Sequence, residues 1–482
     1  MHWGIDIRSK LGTMLCMART FRPYSIDQQL LLPPDLRDWV PEGHLSLFIS
    51  DLVDESLDLT AVIAPYSKGD ARGGMPYHPR MMVKLLLYAY CTGKPSSRKI
   101  ERATYEDVAY RVLAGDQHPD HDSIADFRKR HLMALAGLFL QALKLCEKAG
   151  LVKLGHVALD GTKVKANASK HKAMSYERMC ETEKRLEEEV KKLLEAAQQM
   201  DVEEDALHGK GRRGDELPKE LARREGRLSK IREAKAALEQ EAKERAVREA
   251  AEARAKIAER ERLERETGEK PKGPGPKVPD PEQAKPAPKA QKNFTDPESR
   301  IMKDGATKGF EQAYNAQIVV DAESQVIVAP GVTQDANDKK QLVPMLDQAG
   351  ANLGTLPEKA SADAGYFSEA SVTDEKLAGV DLYVPPGREK HGTKVETASG
   401  SAPEGASVKE KMQHKLKTAE GRDVYKMRKA IVEPVFGQIK EARGFRRFSF
   451  RGLENVRSEW ALICLTHNLL KLFRFRACAV PA

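Results

Sequence analysis

Residues 313–333 read AYNAQIVVDAESQVIVAPGVT, two runs rich in β-branched and aromatic or small apolar residues around the polar stretch 321–324. This pattern predicts a β-hairpin. Helix-like and strand-like segments alternate after it, which is typical of α/β layers. The sequence predicts helices over 335–350, 368–379, 423–443 and 452–473, and further strands over 155–160, 359–363 and 380–386.

Upstream of this region, residues 30–150 show helical patterns separated by Gly, Pro and Asp, with no alternating strand pattern. A capping box of Ser123 and Asp126 predicts one helix that ends at Gly150. An all-helical domain is therefore expected before the α/β region. Its basic residues either face DNA phosphates or form a solvated helix face: Arg98, Lys99, Arg102, Arg128, Lys129 and Arg130.

A densely charged segment, 171–292, interrupts the α/β pattern. Two helical stripes of leucine and other aliphatic residues, on either side of the sequence GKGRRGDELP, predict an antiparallel helical hairpin or coiled coil. A Pro-rich linker, 271–291, follows it. The predicted divisions are a poorly defined segment at 1–29, a helical DNA-binding domain at 30–150, a catalytic domain at 151–170 and 293–475, and the insertion at 171–292.

Composition narrows the class of protein. The chain has 482 residues, 32% of them charged, and a net charge of +8, so a polyanionic partner is plausible. The six cysteines are scattered, and no stretch reaches the roughly 20 apolar residues that span a bilayer. A cytoplasmic, nucleoid-associated protein is expected, with no membrane partner. His118, His121 and His131 are interpreted as polar loop and helix residues rather than as a zinc site.

Three acids lie where a metal-dependent phosphodiester site would need them. Such a site brings carboxylates from different elements together, because Mg²⁺ prefers oxygen ligands. Asp160 follows an apolar strand, Asp363 follows the strand at 359–363, and Glu433 lies on a late helix. Each acid also has a simpler interpretation: a turn at Asp160, a capped loop at Asp363, and an i,i+4 ion pair between Lys429 and Glu433.

The late helix adds cations near its acid. At 100° per residue, Tyr425, Lys429, Glu433 and Lys440 fall within an arc of roughly 80°, although Pro434 interrupts the regular helix pattern. The segment beyond the helix mixes basic residues with phenylalanines, which is typical either of nucleic-acid binding or of aromatic packing under a sheet. Its members are Lys440, Arg443, Arg446, Arg447 and Arg451, with Phe445, Phe448 and Phe450.

The segments VALDGTKVKANAS, SADAGYFS and YKMRKAIVEPVFGQIK resemble the three carboxylate motifs of bacterial insertion-sequence transposases of the DDE class. The stretch FRPYSIDQQLLLPPDLRDWVPEGH resembles the helical N-terminal domain of those enzymes. The resemblance implies an RNase H-like fold, that is, a mixed sheet with flanking helices. It implies binding of transposon-end DNA and target DNA, and two Mg²⁺ or Mn²⁺ ions held by Asp160, Asp363 and Glu433.

The same resemblance implies that Tyr425, Arg428 and Lys440 touch phosphate or orient the site, and Arg443, Arg446 and Arg447 are expected to bind DNA nearby. The family spacing Tyr-x2-Arg-x3-Glu-x6-Lys fits Glu433 and Lys440, but Arg428 lies one residue too far from Glu433. Lys429 stands at the expected position. The sequence therefore leaves open which of Arg428 and Lys429 contacts phosphate.

The expected function is DNA cleavage at transposon ends and joining of the 3′-OH to target DNA, by an enzyme that pairs two ends as a homodimer. Two alternatives share part of the evidence. An RNase H-like endonuclease would have the same site without strand transfer, and a catalytically inactive DNA-binding protein would account for the charge and the hairpin alone.

Overall fold

A computed structural model describes residues 35–68, 75–208, 219–268, 273–303, 309–387 and 397–479. The predicted N-terminal segment 1–29 lies outside these residues. Within them the protein is mixed α/β and mostly helical, as the sequence predicts. The seven N-terminal helices are α1 Leu45–Asp51, α2 Thr60–Ile63, α3 Pro79–Cys91, α4 Ser97–Glu106, α5 Val108–Ala114, α6 His121–Arg130 and α7 Leu132–Lys148.

The predicted single helix ending at Gly150 is wrong, because it is divided at His131 into α6 and α7. Asp120, rather than Ser123, caps α6: its carboxylate accepts from the backbone N–H of Ser123. An aspartate in the N-cap position satisfies one of the free N–H groups of the first turn. His131 is buried and stacks on Tyr66, which makes it a packing residue.

One mixed sheet forms the centre of the α/β region. Its strands are β1 His156–Lys165, β4 Arg300–Lys303, β5 Phe310–Asp321, β6 Ile327–Thr333, β7 Lys359–Ala362 and β8 Asp381–Tyr383, while β2 Ala173–Ser175 and β3 Gln291–Asn293 lie outside it. They run in the order β4-β5-β1-β7-β8, and β6 pairs with the same edge of β5 as β4 does. β1 is antiparallel to β5 and parallel to β7.

The predicted hairpin at 313–333 is confirmed as β5 and β6, and the predicted strands at 359–363 and 380–386 are confirmed as β7 and β8. The prediction that the first strand ends at Asp160 is wrong, because β1 continues to Lys165. Gly161 permits this continuation. A side chain there would collide with the Gln317 amide on β5, so a glycine fits where β1 and β5 approach closely. Asp160 and Gly161 are therefore strand residues and do not form a turn.

The remaining helices cover the sheet and join it to the N-terminal helices. They are α10 Leu342–Leu353, α11 Glu369–Val372, α12 Val408–Lys417, α13 Ala419–Gly437 and α14 Leu453–Ala479. The predicted helix at 368–379 is reduced to the four residues of α11 and a short 3-10 turn, Glu375–Leu377. The last two predicted helices are confirmed, α13 being extended by a π-helical turn, Gln438–Ala442.

Helix α14 packs against α7, α3 and β6, so one hydrophobic core runs from the N-terminal helices into the sheet. Polar side chains of α14 form hydrogen bonds to the backbone of β5 and β6. The Asn468 amide bonds the backbone N–H and C=O of Ile327 at 2.9 and 2.8 Å, and the Trp460 indole donates to the Gln317 carbonyl. The domain boundaries and the RNase H-like assignment stay predictions.

The charged segment is an antiparallel pair of long helices, α8 Tyr176–His208 and α9 Lys219–Thr267, as predicted. A two-stranded sheet of β2 Ala173–Ser175 and β3 Gln291–Asn293 closes its base. The helices share a small hydrophobic cluster of their own, made by Met179, Leu186, Leu228, Ile231 and Leu238.

Candidate active site

Two of the predicted acids lie side by side at the end of a parallel strand pair. β1 and β7 are in register from His156 opposite Lys359 to Leu159 opposite Ala362. Asp160 and Asp363 are the residues that directly follow this paired stretch. Because the two strands run parallel and in register up to these residues, the two carboxylates come to one place. Burial raises the pKa of Asp160, and the negative charge of Asp363 raises it further.

The Asp160 carboxylate is largely buried, with 22% of the side chain exposed. Its Oδ2 accepts from the Arg428 guanidinium at 3.1 Å, and its Oδ1 from the Gly161 N–H at 2.8 Å. Burial raises the pKa of Asp160 to about 6, even though Arg428 and the Gly161 N–H lower it. One arginine therefore does not offset the cost of an anion in this environment.

Asp363 caps a short turn, since its Oδ1 accepts from the Gly365 N–H at 2.8 Å. The capped-loop interpretation is thus correct locally. A cap uses one carboxylate oxygen and leaves the other available, so this geometry is compatible with a further role. Gly365 keeps the space beside the carboxylate open, because a Cβ there would lie 2.9 Å from the same Oδ1.

A third acid, Asp338, lies beside the pair and was missed by the sequence reasoning. Its Oδ1 accepts from the side-chain amides of Asn315 at 2.6 Å and Gln317 at 2.7 Å, both on β5. Its Oδ2 is 3.7 Å from the Cβ position of a side chain at 365, the position that approaches Asp363. The ammonium of Lys163 is 3.9 Å from Asp338.

The signal for Asp338 was present in the sequence. It lies five residues after β6 in the stretch DANDKK (335–340), and the same argument about strand ends singled out Asp160 and Asp363. Asp338 was not singled out because the sequence predicts a helix from residue 335. The described helix α10 begins only at Leu342, so Asp338 lies in the preceding loop, where a side chain can turn back over the sheet.

The two cations left open by the spacing are distinguished by their position on α13. Arg428 is buried and bonds Asp160, whereas Lys429 is exposed. Arg428 is therefore the residue that belongs to the acid cluster. Tyr425 lies one turn before it, with the guanidinium 5.9 Å from its ring, and burial raises the pKa of Tyr425.

Glu433 lies on the same helix but away from this cluster. Its side chain is exposed, and it forms neither the predicted alternative ion pair with Lys429 nor a contact with the two aspartates among the described residues. No three Asp, Glu, His or Cys side chains in that part of the chain come close enough to hold one metal ion. The described structure thus assembles Asp160 and Asp363, and leaves Glu433 at the surface.

The remaining predicted residues are divided between the surface and the core. Lys440 reaches β1, donating to the Thr162 hydroxyl at 2.6 Å and to the Lys163 carbonyl. Arg446 and Arg447 are exposed, and Arg446 bonds Glu441.

The structure corrects the expectation that Arg443 binds DNA. Arg443 is 6% exposed, and its guanidinium bonds the Ile463 carbonyl and the Thr466 hydroxyl of α14. Its burial lowers its pKa to about 10 and removes it from contact with phosphate. Phe445 and Phe448 are also buried, so their packing interpretation holds, while Phe450 is only half-buried.

The side chains around Asp160 and Asp363 fit a divalent cation in part. Two carboxylates are close enough for the charge of one to raise the pKa of the other, and a cation between them would relieve that repulsion. One buried oxygen, Asn315 Oδ1, has no hydrogen-bond partner among the described residues. Carboxylate and amide oxygens suit Mg²⁺ or Mn²⁺. The buried Arg428 Nε also lacks a partner, but it is an N–H donor and cannot bind a cation.

Comparison with protein families adds independent information. A family model described as Transposase domain (DUF772) matches residues 34–130, and one described as Transposase DDE domain matches residues 388–473. Together the two matches support an insertion-sequence transposase of the DDE class. The DDE match includes α13, with Arg428 and Glu433, whereas Asp160 and Asp363 lie outside both matches.

Neither the curated proteins nor the solved structures include a chain that matches this one. Among the residues that the structure describes, no helix combines the length and apolar character needed to cross a membrane.

Proposed function

We propose that the chain is a metal-dependent DNA transposase that cleaves transposon ends and joins the free 3′-OH to target DNA. The observation that carries this proposal is that Asp160 and Asp363 directly follow the paired residues Leu159 and Ala362 of β1 and β7, in a chain with two matches to transposase families. Glu433 is proposed as the third ligand on its motif, because its spacing to Lys440 fits the family pattern.

Asp160 and Asp363 would hold the metal, and Glu433 would complete the set. When bound, two Mg²⁺ or Mn²⁺ ions supply an activated oxygen nucleophile and stabilise the charge of the leaving oxygen. Arg428 orients the Asp160 carboxylate through its 3.1 Å hydrogen bond. Burial of this pair excludes water, which strengthens the electrostatic interactions that act on the scissile phosphate.

Asp338 is proposed as a positioning residue. Its two amide partners, Asn315 and Gln317, are side chains of β5, the strand adjacent to β1. Gln317 also accepts from the hydroxyl of buried Tyr366, three residues after Asp363. A chain of hydrogen bonds therefore runs from Asp338 to the loop that carries Asp363 and restricts that loop.

DNA contacts are proposed for Lys440 and for the exposed cations Lys429, Arg446 and Arg447. Lys440 is fixed against β1 two residues beyond Asp160, which places a cation beside the carboxylates. The other three lie on α13 or just beyond it. We also propose transposon-end and target DNA as partners, a homodimer that pairs two ends, and association with the nucleoid.

The test is divalent-metal-dependent cleavage of a duplex that carries the element's own terminal repeats. Asp160→Asn, Asp363→Asn and Glu433→Gln are each expected to lower the cleavage rate by about 10³-fold or more, since each removes a charged ligand. Glu252→Gln, an exposed acid on α9, is the matched control and should cut at the wild-type rate. Retained cleavage in one variant would remove that residue from the site.

Asp338→Asn distinguishes a positioning role from ligation. Loss of the carboxylate charge leaves a side chain that can still bond Asn315 or Gln317, so we expect a moderate loss of rate with metal affinity largely kept. A loss as large as that of Asp363→Asn, together with normal cleavage by Glu433→Gln, would instead make Asp338 the third ligand.

Strand joining separates the proposal from its closest alternative. Given a pre-cut end with a free 3′-OH, a transposase inserts it into an unrelated plasmid, whereas an endonuclease leaves both molecules unjoined. Binding of the end without cutting or joining would identify a catalytically inactive DNA-binding protein.

A further inference from the structure

A basic concavity lies at the base of the charged hairpin, outside the carboxylate site. Its volume is about 550 Å³. The charged or titratable side chains that line it come from the segment after β1, from α8 and from α9, and no acid is among its lining residues. They are His171, Lys172, Arg178, Arg227 and Lys230.

The cations of this concavity differ from others on the same hairpin. Arg232 bonds Glu183 and Glu187 across the two helices, and Lys235 bonds Glu183. In contrast, Lys172, Arg178, Arg227 and Lys230 form no ion pair within the described part of the chain, and all four are exposed.

Their arrangement is unfavourable in the free protein. Arg227 and Lys230 are three residues apart on α9, and like charges at that spacing destabilise a helix. Arg178 on α8 and Lys172 add further positive charge to the same concavity. A bound polyanion would relieve this repulsion, whereas ordinary solvation of a helix face does not require all four cations to surround one hollow.

The wall of the concavity is hydrogen-bonded to the segment that follows β1. Phe294 and Thr295 form part of the lining, and the Phe294 N–H donates to the Lys172 carbonyl at 3.0 Å. Beside them, buried Asn293 donates to the Ser169 carbonyl and accepts from the Thr295 N–H. The concavity is thus attached through short hydrogen bonds to the chain that leaves β1, the strand that carries Asp160.

We propose that this concavity binds the sugar-phosphate backbone of DNA held at the carboxylate site. The inference rests on the proposed transposase function and adds a role for the hairpin. β1 carries the chain about 16 Å from Asp160 to Lys165, at roughly 3.3 Å per residue. The lining of the concavity begins six residues later, at His171, and one turn of a duplex is about 34 Å, longer than the path along β1.

The experiment measures binding of full-length protein to fluorescent duplex DNA over a range of salt concentrations. The pocket variant combines Arg178→Ala, Arg227→Ala and Lys230→Ala. Its matched control combines Arg248→Ala, Arg254→Ala and Lys256→Ala, three exposed cations of α9 that do not line the concavity. A charge-keeping variant, with Arg178→Lys, Arg227→Lys and Lys230→Arg, tests whether the positive charge itself is required.

The pocket variant should reduce the slope of log affinity against log salt by up to about 2.7, because it removes three cations and each phosphate contact contributes about 0.9. The control and the charge-keeping variant should keep the wild-type slope. An equal loss in pocket variant and control would show a general effect of charge and overturn the proposal, as would an unchanged slope in both.

Two duplexes identify which DNA is bound. Loss confined to the terminal-repeat duplex assigns the concavity to transposon ends, and equal loss on an unrelated duplex assigns it to DNA backbone in general; both support the proposal. A pocket variant that changes only the mass of the protein assembly would replace it with a protein interface. If wild type cuts and joins DNA while the pocket variant binds normally, only this inference fails, whereas wild type that neither binds nor cuts overturns both.

Discussion

The carboxylate site around Asp160 and the charged hairpin contain the same types of side chain in opposite surroundings. At the carboxylate site, Asp160 and Arg428 form a pair that is largely removed from water, and burial raises the pKa of Asp160 to about 6. On the hairpin, Arg232 and Glu187 also form an ion pair, but both side chains are about half exposed. Water screens the attraction between Arg232 and Glu187 much more than that between Arg428 and Asp160, so the charges of the buried pair interact more strongly.

The largest expected effect concerns an arginine that belongs with the buried set. Arg443→Ala should lower the free energy of unfolding by about 4 kcal/mol, because it leaves a cavity and an unbonded carbonyl at Ile463. Urea unfolding followed by tryptophan fluorescence measures this. Arg446→Ala, at the exposed neighbour, should cost under about 1 kcal/mol. Similar losses in the two variants would contradict the division between core and surface.

The next effect concerns pH and uses the metal-free protein. The folded pKa of Asp160, about 6, lies above the ordinary value of about 3.9, so the protonated acid is favoured by folding. The resulting stability is fully present below pH 4 and is lost as pH rises through 6. Wild type should therefore lose up to about 3 kcal/mol relative to Asp160→Asn between pH 4 and 7.

Unfolding in the presence of EDTA, compared between the two proteins at several pH values, checks this expectation. Adding Mg²⁺ at pH 7 should restore stability to wild type and leave Asp160→Asn unchanged. Parallel pH curves without metal would mean that Asp160 is better solvated than its position indicates.

A smaller and more local effect is expected in the hairpin. Ile231 is fully buried within a cluster of only five buried side chains, so Ile231→Ala should destabilise α8 and α9 by about 2 kcal/mol. Hydrogen exchange should show faster exchange in these two helices and unchanged protection in β1 and β5. Loss of protection throughout the sheet would show that the hairpin and the main core unfold together.

The smallest effect tests the exposed charges directly. Arg232→Ala removes the bonds to Glu183 and Glu187, yet it should change stability by under about 1 kcal/mol, because solvent screens both pairs. Thermal unfolding at low and high salt measures the change, which should shrink further as salt increases. A loss of stability as large as that of Arg443→Ala would contradict the difference between buried and exposed charges.

Local pattern alone predicted much of the molecule. The hairpin of β5 and β6, the two long charged helices and the position of Asp363 after a strand all follow from periodicity and from turn residues, which act over a few neighbours. Those features depend on which face of an element is apolar, and the order of residues specifies that directly.

Other features depended on which segments meet in three dimensions. Arg428 and Lys429 are adjacent in sequence, and only the packing of α13 against β1 selects Arg428 as the partner of Asp160. Asp338 joins the site because β5 lies next to β1, and Arg443 is buried because α14 covers it.

The sequence by itself therefore determined most of the elements, the family resemblance and two of the acids, since each is specified by residues close together along the chain. The tertiary structure alone decided which charges are buried, which are paired and which are left around an open hollow. The physical reason is that burial and pairing arise from contacts between residues as far apart as 160 and 428, and no local pattern records those contacts.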